Sequence, residues 1–214
     1  MKILTKFESL KELKSEELES ILHKHQRWLL SCGEKGKKAD LRGFNLQKAD
    51  LGRANLEKSY LCNSNLQEAN LQEANLKDAD IGGANLKKAN LAKANLSRAN
   101  LEEANLEEAN LMEANLWYAD LRRANLTEAN LLKVNLENAN LKDINGKRII
   151  IFQAGKAIAS YVDGWIKIGC KKLSVEEWLK KYKDIGIKNE YSEEQIKLYG
   201  DFIKLCYQLD NNNY

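Results

Sequence analysis

From Ala39 to Asp143 the chain repeats every five residues without an insertion, 21 times in succession. The unit reads A-(N/D)-L-x-x. Its third position is Leu in every unit but one, where Ile81 stands. Its first is Ala apart from Phe44, Ser59, Ser64 and Val134, and its second is Asn or Asp apart from Tyr60. A period of five fits neither the 3.6-residue turn of an α-helix nor the two-residue alternation of a strand. So regular a pattern marks a repeat architecture. Proline is absent and glycine scarce, at 12 of 214 residues. The corners must therefore come from another residue. Asn and Asp at the second position suit that role, because they tolerate unusual dihedrals and bond to nearby backbone.

These units resemble the pentapeptide-repeat family over the whole 39–143 stretch. The resemblance implies a right-handed quadrilateral β-helix with one unit per side and four sides per turn. Leu and the preceding Ala would then point inward and the other three positions outward or to the corners. The charges at the fifth position test the four-sided register. Stacked coils would bring residues 20 apart to about 4.8 Å. At that lag eleven pairs are of opposite sign: Lys48–Glu68, Arg53–Glu73, Lys58–Asp78, Glu68–Lys88, Glu73–Lys93, Asp78–Arg98, Lys88–Glu108, Lys93–Glu113, Glu103–Arg123, Glu113–Lys133 and Arg123–Asp143. One pair, Glu108–Glu128, is alike. Lags of 15 and 25 give eight to two and six to three. Cross-strand pairs of opposite charge contribute roughly 0.2–1 kcal/mol each.

The flanks depart from the period. Ser15 is placed to cap a helix running to Ser31, with Leu18, Ile21, Leu22, His25, Trp28 and Leu29 on one face. This segment is similar to the helix leading into the coil in many bacterial members of the family. Its apolar face is expected to plug the end of the coil. His25 and His23 are two residues apart and diverge on a helix, so they share no metal. His25 is expected to be a packed histidine with one hydrogen bond. Beyond Asn145-Gly146, residues Arg148 to Ala154 suit a strand. Ala157–Val162 and Trp165–Cys170 flank Asp163-Gly164 as a hairpin. Ser174 with Glu177 and Ser192 with Gln195 form two capping boxes, each opening an amphipathic helix. The expected organisation is a helical cap over 1–38, a β-helix over 39–145, a small α+β unit of hairpin and two helices over 146–209, and a disordered tail over 210–214. The tail, including its IGC-x-x-x-S-x-E-E-W stretch, is similar to those of bacterial and prophage-borne members of unknown role.

The composition excludes more than it selects. A formal charge of +3 does not argue for nucleic-acid binding. Within 39–143 there are 13 Lys and Arg against 16 Asp and Glu, and their ladders cancel the field a charged partner would follow. Cys32, Cys62, Cys170 and Cys206 lie far apart, so reduced thiols in the cytoplasm are expected rather than a metal site. No apolar run suits a signal peptide or a membrane span. With two His, both near the N-terminus, no Ser-His-Asp or Cys-His set can be assembled, and no phosphate loop occurs. No cofactor and no catalytic residue is expected. The outward positions that break the polar rule are Met112, Trp117, Tyr118 and Leu132, a candidate protein-contact patch. The reading is a non-enzymatic interaction or scaffold module, monomeric, with both coil ends covered. The alternative is the activity best known in the family, mimicry of double-stranded DNA to bind DNA gyrase and protect it from poisons. That role uses a long acidic rod, and the balanced ladders depart from it.

Overall fold

The computed structural model describes residues 10–144, 152–153, 158–162, 165–169 and 171–211. From residue 40 to residue 140 each second-position residue forms a parallel bridge with its counterpart 20 residues on, from Asp40↔Tyr60 to Asp120↔Asn140. Four units therefore make one coil, as the charge register requires. The third-position Leu and Ile81 side chains are buried from Leu41 to Leu136. The first position is buried from Ser59 to Val134. Burial of each leucine contributes about 1.5–3 kcal/mol.

The backbone donors of one repeat can be followed completely. The first-position N–H closes a turn onto the third-position carbonyl three residues back (Ala49 to Leu46, 3.1 Å). The second donates to the coil before it (Asn65 to Phe44, 3.0 Å); the third and fifth donate to the coil after it (Leu46 to Asn65, 2.8 Å; Lys48 to Gln67, 2.9 Å). The fourth has no ladder partner and donates to the second-position side chain, as Gln47 N–H does to Asn45 Oδ1 at 3.3 Å. Asn or Asp is thus needed at the second position because that N–H would otherwise be unsatisfied.

The amide's other end adds a ladder of its own. Asn85 Nδ2 donates to Asn65 Oδ1 (3.0 Å), and Asn105 Nδ2 to Asn85 Oδ1 (3.3 Å). An aspartate cannot donate. Asp40 and Asp50 stand at the start of their ladders and Asp80 follows Tyr60, which has no amide oxygen; Asp120 follows Asn100, breaks its ladder and accepts from Arg122 instead. Asp50 and Asp80 each accept from the Asn one coil on, at 2.8 and 2.9 Å.

The corners correct the sequence reading. The left-handed conformation falls on the fifth position of every unit, at φ 56–60° in the non-glycine residues from Lys48 to Asp143, with Gly43 and Gly83 in the other two. The second-position Asn and Asp are not the residues concerned; at the fifth position Lys, Arg and Glu predominate, with Asn63, Asp78, Tyr118, Asn138 and Asp143, at about 1 kcal/mol each. From Lys48 to Arg123 each such residue is held by its turn and by an N–H bond to the next coil. Ser59 and Ser64 replace Ala without penalty, because each hydroxyl donates to a carbonyl three residues back at 2.7 Å.

Before the coil runs α1 (Ser15–Leu30). Ser15 is its first helical residue and Lys14 its cap; Glu17 accepts from the Lys14 N–H at 3.1 Å. The expected cap is therefore shifted by one residue. Leu18, Ile21 and Leu22 pack against the hydrophobic core. A short strand ahead of α1 was not legible in the sequence. β1 (Lys11–Glu12) pairs in parallel with β2 (Phe44–Asn45), and Glu12 Oε1 accepts from Asn45 Nδ2 at 2.8 Å. Glu12 thus continues the amide ladder at its base.

His25 is buried on α1. Its Nδ1 accepts from the Ala39 N–H at 3.1 Å, so the proton sits on Nε2, which is buried beside the Glu57 carbonyl without closing a hydrogen bond of ordinary geometry. Burial lowers its pKa; the Glu57 carbonyl opposes that, and Lys38 adds to it. Protonation would need Nδ1 as a donor and break the bond to Ala39. A folded pKa below the unfolded value means that this contribution is complete above about pH 6.5 and is lost as pH falls from there. Wild-type thermal stability is expected to fall as pH drops below about 6.5, whereas His25→Gln flattens that part of the profile.

After the coil, β3 (Phe152–Gln153), β4 (Ile158–Val162), β5 (Trp165–Ile168) and β6 (Lys171–Ser174) form an antiparallel sheet in that order. β6 is a strand the sequence reading lacked. α2 (Val175–Lys188) and α3 (Glu193–Asn211) follow. Both capping boxes are present: Glu177 N–H donates to Ser174 Oγ at 3.3 Å and Gln195 N–H to Ser192 Oγ at 3.2 Å. The Trp178 indole N–H donates to the Ile166 carbonyl at 2.8 Å and pins α2 to the sheet. α3 continues through Asn211, two residues past the expected boundary at 209. Residues 1–9, Asn145-Gly146, Arg148–Ile151, Ala154, Ala157, Asp163-Gly164, Cys170 and 212–214 lie outside the described residues.

Candidate contact surface on the coil

The fourth and fifth positions form the outer surface, and most of its charge is neutralised in place. Seven of the eleven anticipated pairs are ion pairs: Lys48–Glu68, Arg53–Glu73, Asp78–Arg98, Lys88–Glu108, Lys93–Glu113, Glu103–Arg123 and Glu113–Lys133, at 2.8–3.9 Å. The fourth position carries further pairs that the fifth-position reading missed, Lys87–Glu107 at 2.9 Å and Arg122–Glu102 at 3.0 Å. Such exposed pairs contribute about 0–1 kcal/mol each. They hold carboxylates ionised. The Arg53 guanidinium lowers the pKa of Glu73, and the Arg42 guanidinium that of Asp40. At Asp120 burial pushes upward but is outweighed by Arg122. These shifts run opposite to what a proton-donating acid needs. Among the described residues no group of His, Cys, Asp or Glu is arranged to hold a metal ion.

The interruption lies where the sequence placed it. Trp117 and Tyr118 occupy the outer positions of one unit, with ring centroids 4.4 Å apart and edge to face. They are 39% and 54% exposed, so the C-terminal elements leave them open to solvent. Met112 and Leu132 stack on the adjacent side in successive coils, where the Glu113 N–H donates to the Leu132 carbonyl at 2.8 Å. Both are half-buried. The aromatic pair is therefore the prominent part of the patch. One coil further on, Glu137 pairs with Lys197 of α3 at 2.8 Å. This contact sets the C-terminal helices at the patch's edge.

A second exposed aromatic was missed as a site feature. Tyr60 stands at the start of the coil with Lys38 Nζ 3.6 Å from its ring centroid and the Arg42 guanidinium at 5.1 Å. Its position as the one break in the Asn/Asp column was the available signal. The same column explains its exposure, since a second-position side chain lies along the outside of the coil.

Together, the four-sided stack and its largely ion-paired exterior define a β-solenoid that carries its variable side chains on the outside. Residues 39–78, 79–117 and 104–143 match the family model for pentapeptide repeats, in eight copies. Through this stretch the chain belongs to the pentapeptide-repeat family, whose members fold as right-handed β-helices and are generally structural or interaction modules. No curated protein matches the chain. Among solved structures it is similar to a pentapeptide repeat protein from the Arabidopsis thaliana thylakoid lumen, at 34% identity over 46% of this chain and 69% of that one, with a TM-score of 0.45. A pentapeptide repeat protein from the cyanobacterium Cyanothece is 35% identical over 54% of this chain and 65% of that one, with a TM-score of 0.28. QnrB1, a plasmid-mediated fluoroquinolone resistance protein, is 15% identical over 51% and 65%, with a TM-score of 0.29. No helix among the described residues is long and apolar enough to cross a membrane.

Proposed function

We propose that the protein is a non-enzymatic cytoplasmic interaction module whose partner is another protein, held through the patch of Met112, Trp117, Tyr118 and Leu132. The observation that carries this reading is the exposed, edge-to-face Trp117–Tyr118 pair on a coil surface whose charges are largely ion-paired. Large aromatics offer apolar area at small entropic cost and dominate the energetics of many interfaces. The α1 helix and the C-terminal elements serve as covers for the two coil ends and keep the chain monomeric. DNA mimicry toward gyrase is the weaker reading, because the ion-paired ladders leave little acidic field to meet a basic groove.

The test compares capture from the native host by the wild type and by Trp117→Ala/Tyr118→Asn. Asn is chosen because Tyr118 sits at φ 56°, which Asn tolerates. The variant is expected to keep the wild-type Tm and to lose about 30-fold or more in affinity for the captured protein. A partner bound equally by both proteins would remove the patch from the proposal. Capture of gyrase by both would promote DNA mimicry.

A further inference from the structure

The C-terminal elements hold a cavity that the coil surface does not use. Between β5–β6 and the helices α2 and α3 lies a space of about 150 Å³, walled chiefly by Trp178, Tyr182, Tyr191, Tyr199, Ile168 and Ile196. Its walls are fixed. Trp178 and Tyr199 are buried, the indole N–H is bonded to the Ile166 carbonyl, and the Tyr191 and Tyr199 rings stack at 5.5 Å. Protein interiors pack densely and leave few voids larger than a water molecule. An apolar void of this order accommodates a single six-membered ring. Four aromatic walls favour a flat aromatic guest through edge and offset contacts.

The mouth is cationic. Lys171 lines the cavity and also an adjoining open groove of about 390 Å³, together with Lys172, Lys181, Lys188 and Asp184. Lys181 is partnered by Glu177 at 3.6 Å, and Lys172 lies 5.2 Å from the Trp165 ring. The coil cancels its lysines against carboxylates one turn away; in the groove Glu177 holds Lys181, and Lys171, Lys172 and Lys188 form no ion pair with a described residue. An anion held there would relieve that imbalance.

We infer that this is a binding site for a small aromatic carboxylate, with one ring in the cavity and the carboxylate at Lys171. The site is independent of the contact patch on the coil. The full-length protein titrated with 3-phenylpropionate, followed by amide and indole NMR shifts, is expected to bind with a Kd on the order of 0.1–1 mM and to shift the Trp178 indole signal. The neutral 3-phenylpropanamide is expected to bind about tenfold more weakly. Propionate, lacking the ring, should leave Trp178 unmoved. Lys171→Glu should weaken 3-phenylpropionate about tenfold without changing the Tm or the affinity for the amide, and Lys171→Arg should restore binding. Absence of binding, shifts that bypass Trp178, equal affinity for acid and amide, or indifference to Lys171→Glu would each overturn the assignment.

Discussion

Leu91→Lys is expected to unfold the protein. Leu91 is fully buried at a third position in the middle of the coil, and its N–H donates to the Asn110 carbonyl at 2.7 Å. Its neighbours one coil away are Leu71 and Leu111, also fully buried. Removing the leucine alone costs about 2–5 kcal/mol. Placing an ammonium there without a partner adds several kcal/mol more, against a total stability of about 5–15 kcal/mol. Among the described residues the coil interior holds no carboxylate to receive the charge, and its buried serines Ser59 and Ser64 are already bonded to backbone carbonyls. Circular dichroism and limited proteolysis would report the loss. A soluble variant melting cooperatively at the wild-type temperature would show that the third position does not face inward.

Gly36→Val is expected to separate α1 from the first coil. Gly36 lies in the reversal between helix and coil at φ 83°, and a Cβ there would stand 2.2 Å from the Lys24 carbonyl oxygen and 2.8 Å from the Trp28 nitrogen. Both are backbone atoms of α1 and cannot move aside singly. The same reversal carries the Lys37 N–H bond to the Lys24 carbonyl and the Ala39 N–H bond to His25, each at 3.1 Å. Steric overlap and a left-handed φ on a β-branched residue together cost about 3 kcal/mol or more. Hydrogen exchange should show the Lys37 and Ala39 amides losing protection while amides such as Leu101 keep theirs. Gly43→Asn is the control: it too has positive φ, but nothing lies within 4 Å of an added Cβ. Retained protection at Ala39 in Gly36→Val would mean that this junction does not depend on the glycine.

The coil was legible in the sequence because its neighbours in space are copies of one another at a constant separation. A residue and its partner 20 positions on have the same role, so the charge column carried information about tertiary packing. The helices were legible for a local reason: Ser174, Ser192 and the apolar spacing of α1 act within one or two turns. The dihedral strain was misplaced because Asn has two properties relevant to corners. Only the completed ladder shows that its side-chain oxygen is the one used, while the left-handed angle falls on the fifth position. Lys11–Glu12 and Lys171–Ser174 carry little strand propensity of their own; each becomes a strand because a neighbouring edge supplies unpaired N–H and C=O groups. The openness of Trp117 and Tyr118, the burial of His25 Nε2 and the aromatic cavity behind Lys171 likewise depend on how separate elements come together. Periodicity and caps are encoded by residues close in sequence or repeated at fixed spacing; edges, exposure and voids belong to pairs of elements that share no spacing in the chain.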